Sequence, residues 1–184
     1  MNNNATHATV TIDITLDRHN TKEVLRAILH AILFHRLYGT IKPQTFEVLD
    51  VTMPGVSDPG IERLVEEKVE AFWKGMENGA NKRGQITVTL SGKHQKKSWI
   101  GITYEEEVPW EQWIVNAEIR QPKSDQERQV FNQNLAATLT KSLRTMLTHT
   151  SSEQGRASVP PITNPDVSPF PLKIVVRVGD VEVG

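Results

Sequence analysis

Six histidines, at positions 7, 19, 30, 35, 94 and 149, are the side chains of this chain best suited to bind a metal or move a proton near neutral pH. Only His30 and His35 lie close together on one element. Their separation turns them about 140° apart on a helix, so they do not share a metal face. His30 reads instead as a hydrogen-bonded histidine and His35 as a group that satisfies a helix end. Glu105-Glu106-Glu107 offers carboxylates for acid-base work, but consecutive residues do not converge on one substrate atom, and a solvated acidic loop is expected. Lys93-His94-Gln95-Lys96-Lys97 is a basic run too short for the usual lipid-binding cluster, and reads as a solvated loop. Gly55-Val56-Ser57-Asp58-Pro59-Gly60 imitates a nucleophile turn with the wrong spacing, while Ser-Asp-Pro is ordinary helix-start chemistry. No P-loop, G-x-S-x-G or H-E-x-x-H occurs. The absence of cysteine removes disulfides, thiolate nucleophiles and every cysteine-containing zinc site. The expectation is a protein without catalytic residues, metal or cofactor.

Two clusters are better suited to binding than to catalysis. Trp99-Ile100-Gly101-Ile102-Thr103-Tyr104 sits between two strands, flanked by the basic and acidic runs. Trp99, Ile100, Ile102 and Tyr104 either tuck under as core or stand out as a binding patch, and Trp and Tyr are common interface anchors. The second cluster lies on a long helix opening at Ser124. Phe131, Leu135, Thr138, Leu139, Ser142, Leu143 and Met146 form its inward stripe at about 100° per residue. The opposite side carries Gln126, Val130, Gln133, Ala137, Thr140 and Arg144, with Lys141 at its edge, and no acidic residue falls between Glu127 and Glu153. Solvated faces ordinarily mix both signs of charge. A weakly charged face with small residues in its middle lets a partner approach closely.

The elements that must position these residues follow from periodicity. Val10, Ile12, Ile14 and Leu16 alternate as a half-buried strand. Asn20, with Glu23 as capping box, opens a helix whose Leu25, Ile28, Leu29, Ile32, Leu33 and Leu37 repeat at helical spacing, and Gly39 suits its C′ position. Phe46 to Met53 reads as one strand, ended by Pro54, Gly55 and Pro59. Asp58-Pro59 starts a second amphipathic helix through Met76, with Gly79 placed to end it. Ile86, Val88 and Leu90 mark a strand, Ser91 to Pro109 a long connection, and Trp113, Val115, Ala117 and Ile119 another strand. Ser124 and Glu127 form a capping box for the long helix, which runs to about His149. Residues 151–171 form a Pro-rich loop, and Leu172 to Val178 turns at Gly179-Asp180 into a C-terminal hairpin. Adjacent strands with no helix between them place the chain in the α+β class.

The chain has 184 residues, the length of one domain, here 1–184 with a polar tail at 1–7. Hydrophobic residues make up 38% and charged residues 23%, a globular composition. Basic and acidic residues, 21 against 22, nearly cancel, which argues against nucleic acid held by a general basic field. No apolar run approaches the roughly 20 residues of a membrane span, so no stable membrane insertion is expected. The polar Met1 to Val10 is no secretory signal, and a cytoplasmic location is expected.

Specific motifs extend this reading. Leu29-His30, His35-Arg36 and Gly39, Gly84-Gln85, Lys96-Lys97-Ser98-Trp99, Val108-Pro109-Trp110-Glu111-Gln112-Trp113 and Gln126-Glu127-Arg128-Gln129 follow one another in an order that resembles the autophagy-related protein 101 family, over residues 8 to 178. The resemblance implies a HORMA fold, with a central, mainly antiparallel sheet backed by three helices. It implies a non-catalytic scaffold of the autophagy-initiation kinase complex, at the phagophore assembly site. Its partner there is the HORMA domain of autophagy-related protein 13, which it stabilises, and an exposed Trp-Phe loop recruits downstream autophagy factors. HORMA dimers use the long helix, which assigns Gln133, Ala137, Thr140, Lys141 and Arg144 to partner binding. The family loop carries Trp-Pro-Phe, whereas this chain has Trp99 followed by Ile100, Gly101 and Ile102, so the second aromatic is missing. An alternative is a HORMA adaptor of another pathway that clasps a partner peptide with its C-terminal segment.

Overall fold

The computed structural model describes residues 7–78, 80–162 and 169–184. Strand β1 (Ala8–Leu16) leads into helix α1 (Thr21–Arg36), then strands β2 (Pro43–Val48) and β3 (Val51–Val56) and helix α2 (Pro59–Glu77). Strands β4 (Arg83–Lys97) and β5 (Thr103–Ile119) precede helix α3 (Asp125–Ser151), a short helix α4 (Glu153–Ala157), and strands β6 (Leu172–Val178) and β7 (Val181–Glu182). The main sheet has the order β1-β5-β4-β6-β7. Its pairings are antiparallel except β1 with β5, which run parallel. This α+β architecture of a mainly antiparallel sheet and helices is consistent with a HORMA-like fold.

The inward residues of the sheet alternate as the strand period requires: Ile12, Ile14 and Leu16 on β1, Ile86 and Val88 on β4, Trp113 and Val115 on β5, Ile174 and Val176 on β6. They join α1 in one core. Val24, Leu25, Ile28, Leu29, Ile32 and Leu33 of α1 are all wholly buried, so this helix is covered on most sides by β3, α2 and α3.

Several local expectations are corrected. Asn20 makes no side-chain cap. Its Oδ1 accepts from the Asp17 N–H and its own N–H donates to Asp17 Oδ1, because its backbone is already helical and turns the side chain back on the preceding turn. Helix α1 stops at Arg36, and Gly39 is not in the left-handed conformation a C′ glycine adopts. Phe46 to Met53 is not one strand but parts of two, folded back at Leu49-Asp50 with Val48 opposite Val51. Both turn residues have positive φ, 48° and 62°, as a two-residue hairpin demands. Leucine is a poor residue for that conformation, and the packing of Leu49 against the core offsets the cost. Pro54 and Gly55 lie inside β3 rather than breaking it. Gly79, expected to end α2, lies outside the described residues. The stretch from residue 151 to 171 is not all loop, since α3 reaches Ser151 and α4 follows. Ser124 caps α3 by accepting from the Glu127 N–H, while the Glu127 carboxylate reaches the Lys123 N–H instead of closing a capping box.

Candidate interaction site

The long connection from Ser91 to Pro109 is a continuous hairpin arm. Strand β6 leaves β4 at Leu90, β1 joins β5 only from Glu111 onward, and a register shift falls at Leu90/Ser91. From Ser91 opposite Pro109 to Lys97 opposite Thr103, β4 and β5 pair with each other alone among the described residues. At about 3.3 Å per residue this ribbon reaches roughly 20 Å from the body. The basic and acidic runs are therefore strands, not loops. Their alternation with β-branched residues is poor, which hides them from a periodicity search, but their opposite charges face one another. Lys96 pairs with Glu106, and Lys93 lies 3.9 Å from Glu105. The hydrogen-bonded Glu106 carboxylate holds the Lys96 ammonium above its ordinary value.

The tip of the arm is closed by hydrogen bonds. Ser98 N–H donates to Ile102 O (2.8 Å), Gly101 N–H to Ser98 O (2.9 Å), and Ser98 Oγ accepts from Ile102 N–H (3.2 Å). Gly101 takes a φ of 84°, which a side chain would resist. On this tight turn Trp99 is 97% exposed, Ile100 58%, Ile102 60% and Tyr104 48%. All four predicted tip residues thus stand in solvent at the end of a charge-paired ribbon.

Helix α3 presents the second predicted surface. Leu135, Leu139, Ser142 and Met146 are buried and Phe131, Thr138 and Leu143 partly so, while Gln133, Ala137, Thr140, Lys141 and Arg144 are all exposed. Exposed Val130 and Leu147 extend this face at either end.

A polar centre that sequence reasoning missed lies where the arm meets the body. Arg36, at the end of α1, and Glu111, on β5, are buried with side-chain exposures of 1% and 0%. The guanidinium grips the carboxylate with both edges, Nε to Oε2 and Nη2 to Oε1, each at 2.7 Å. Arg36 also donates to the Tyr38 hydroxyl (2.7 Å) and the Gly155 carbonyl (3.0 Å). Trp113 Nε1–H donates to Glu111 Oε2 (2.8 Å), and His149 Nε2 lies 2.5 Å from Oε1. Burial pushes the Glu111 carboxyl up, but the bonds from Arg36, His149 and Trp113 outweigh it and hold it below the ordinary carboxylate range. With its acceptor positions taken by these donors, this carboxylate has none left for a substrate proton. Its work is to join α1, β5, α3 and α4. The signal was present in His35-Arg36 and Pro109-Trp110-Glu111-Gln112-Trp113, but nothing in their spacing shows that positions 36 and 111 meet.

The remaining candidates resolve simply. His30 is buried, packs against Phe46 with the rings tilted, and its Nδ1 accepts from the Val56 N–H (3.2 Å). The His35 ring bonds Ala31 O (2.7 Å) near the end of α1. Asp58 caps α2 by accepting from the Ile61 N–H, the helix-start role read for Ser-Asp-Pro. Among the described residues no cluster of His, Asp and Glu could hold a metal ion, and no helix is long and apolar enough to cross a membrane.

Comparison with known proteins gives this arrangement a family. The family model described as autophagy-related protein 101 matches residues 13–166, which contain the arm, the Arg36–Glu111 centre and all of α3. The chain belongs to the autophagy-related protein 101 family. The autophagy-related protein 101 of Arabidopsis thaliana is 30% identical over 183 residues, covering 89% of this chain and 84% of the plant protein. That of Schizosaccharomyces pombe is 35% identical over 111 residues, 60% of this chain and 59% of the yeast protein. The Homo sapiens protein of the same name is 24% identical over 148 residues, 72% and 66% of the two chains. The chain is accordingly an autophagy-related protein.

Proposed function

We propose that the chain is a single HORMA domain acting as a non-catalytic scaffold in autophagy initiation. In this reading the outer face of α3, around Gln133, Ala137, Thr140, Lys141 and Arg144, pairs with the HORMA domain of autophagy-related protein 13 and stabilises it within the initiating kinase complex. The arm tip, with Trp99 at its apex, recruits downstream factors to the phagophore assembly site. The observation that carries the reading is Trp99 itself, 97% exposed on a turn whose hydrogen bonds keep it out of the core. An indole held in water costs solvation and gives the fold nothing, so its use is to enter a partner's apolar site. Ile100, Ile102 and Tyr104 supply the apolar area for which relatives use a second aromatic.

Co-expression with the partner domain tests both surfaces. Ala137→Glu places a charge in the middle of the proposed α3 interface, where desolvation costs several kcal/mol. Loss of co-purification with an unchanged melting temperature of the isolated chain is the expected result. Trp99→Ala should leave co-purification intact and reduce autophagosome formation in cells. If Ala137→Glu still pairs with unchanged affinity, the interface is elsewhere.

A further inference from the structure

A two-stranded ribbon has no third strand to hold it, and an isolated hairpin is marginally stable and free to swing about its base. The base of this arm is held by the chain segments that flank residues 163–168. Ser91 N–H, the first arm residue on β4, donates to Pro171 O at 3.0 Å. Trp110, the last residue of β5 before the body, is buried with its ring 5.3 Å from Phe170 in an edge-to-face contact. Phe170 meets Tyr38 edge-on at 6.2 Å, and the Arg36 guanidinium lies 5.4 Å from the Trp110 ring. On the β4 side, a Cβ added at Gly92 would stand 3.3 Å from Pro160 Cγ, so glycine lets the segment lie flat on the ribbon. Leu90, Trp110 and Phe170 form a cluster of their own, apart from the main core, with Val159 and Leu172 against it. Among the described residues Trp110 Nε1–H meets no hydrogen-bond acceptor, and the indole is held by its ring contacts with Phe170 and Arg36.

We infer that Phe170 against Trp110, with Pro160 over Gly92, is a clamp that sets the direction of the arm. These are positioning residues for Trp99, and the inference rests on the recruitment reading proposed above. The register shift at Leu90/Ser91 breaks the ladder's continuity where the ribbon must turn away from the sheet, which makes this point the natural hinge. Because Arg36 also grips Glu111, one residue from Trp110, the clamp is tied to the buried polar centre as well as to the sheet.

The chain has no cysteine, so spin labels can be attached at Gln95→Cys on the arm and Arg63→Cys on α2 without background. Electron-spin distance measurements on the doubly labelled chain should give one narrow distribution. Phe170→Ala should shift and broaden it, with far-UV circular dichroism and binding to the partner HORMA domain unchanged, and Phe170→Tyr should restore the narrow distribution. Should Phe170→Ala not fold, Gly92→Leu lifts Pro160 from the opposite side and should broaden the distribution in the same way. An unchanged distribution in a folded variant overturns the clamp. A broadened distribution with autophagosome formation undiminished upholds the clamp and overturns its role in recruitment. Broadening together with a loss like that of Trp99→Ala supports both.

Discussion

Glu111 and Trp99 are opposite cases of a side chain out of its usual place. Glu111 is a carboxylate with no exposure, kept charged by a guanidinium gripping both its oxygens. Removing one partner of a buried pair costs about 3–5 kcal/mol, because the other is left as an uncompensated charge. Glu111→Gln should therefore lower stability by an amount of that order in chemical denaturation. The pH dependence has a definite sign. The folded-state pKa of Glu111 is lowered, so its contribution is fully present above the unfolded value of about 4.3 and is lost as pH falls through the lowered folded value. Denaturation midpoints followed below about pH 4 should fall steeply for the parent chain and less steeply for Glu111→Gln; equal slopes would show that the pair does not dominate acid unfolding. Trp99, almost wholly exposed, contributes little to the fold. Trp99→Ala should leave the thermal midpoint unchanged, whereas a buried tryptophan would cost about 3–5 kcal/mol. A large drop on truncation would return this residue to the core.

Among the elements, α1 is the pillar on which the others stack. Leu29 is wholly buried at its centre, surrounded by the other apolar side chains of the core. Leu29→Ala should cost about 2–5 kcal/mol, the combined loss of transfer energy and creation of a cavity. Equilibrium urea denaturation measures this directly; a midpoint that does not move would mean the helix closes over the gap at no cost. Helix α3 differs in kind. It buries one stripe and leaves the other bare, so changes on its outer face should register in binding and not in the melt. The β4–β5 arm is a third kind of element, in which paired charges and a clamped base take the place of an apolar core.

For the whole molecule, the C-terminal segment is part of the fold and not an appendage. Strand β6 fills the sheet beside β4 and buries Ile174, Val176 and Val178, although it follows β4 by some seventy residues and two helices. A chain truncated before Leu172 would expose the whole β4 edge and uncover Ile86 and Val88. Such a chain should lose its cooperative thermal transition in differential scanning calorimetry. A retained sharp transition would show that the remaining sheet and helices form a self-sufficient unit.

Periodicity alone determined β1, α1, α2, the parts of β4 and β5 that lie in the body of the sheet, α3 and the terminal hairpin, because each carries a strong apolar repeat and reports its own buried face. It also separated the two sides of α3, since a helix's solvent stripe follows from the same count as its core stripe. The motifs from Leu29-His30 to Gln126-Glu127-Arg128-Gln129 carried the family. What only the tertiary structure decided was everything without a local repeat. The Leu49-Asp50 turn carries no glycine or asparagine to announce it, and core packing holds it. Lysine and glutamate runs read as loops until pairing sets them across from each other. Nothing in the sequence shows that Arg36 and Glu111 meet, because the attraction that keeps each charged when buried comes from a residue 75 positions away. Trp99 was ambiguous for the same reason. An apolar side chain between charged runs can lie in or out, and only the closure of the β4–β5 hairpin put it at a tip with nothing above it but solvent.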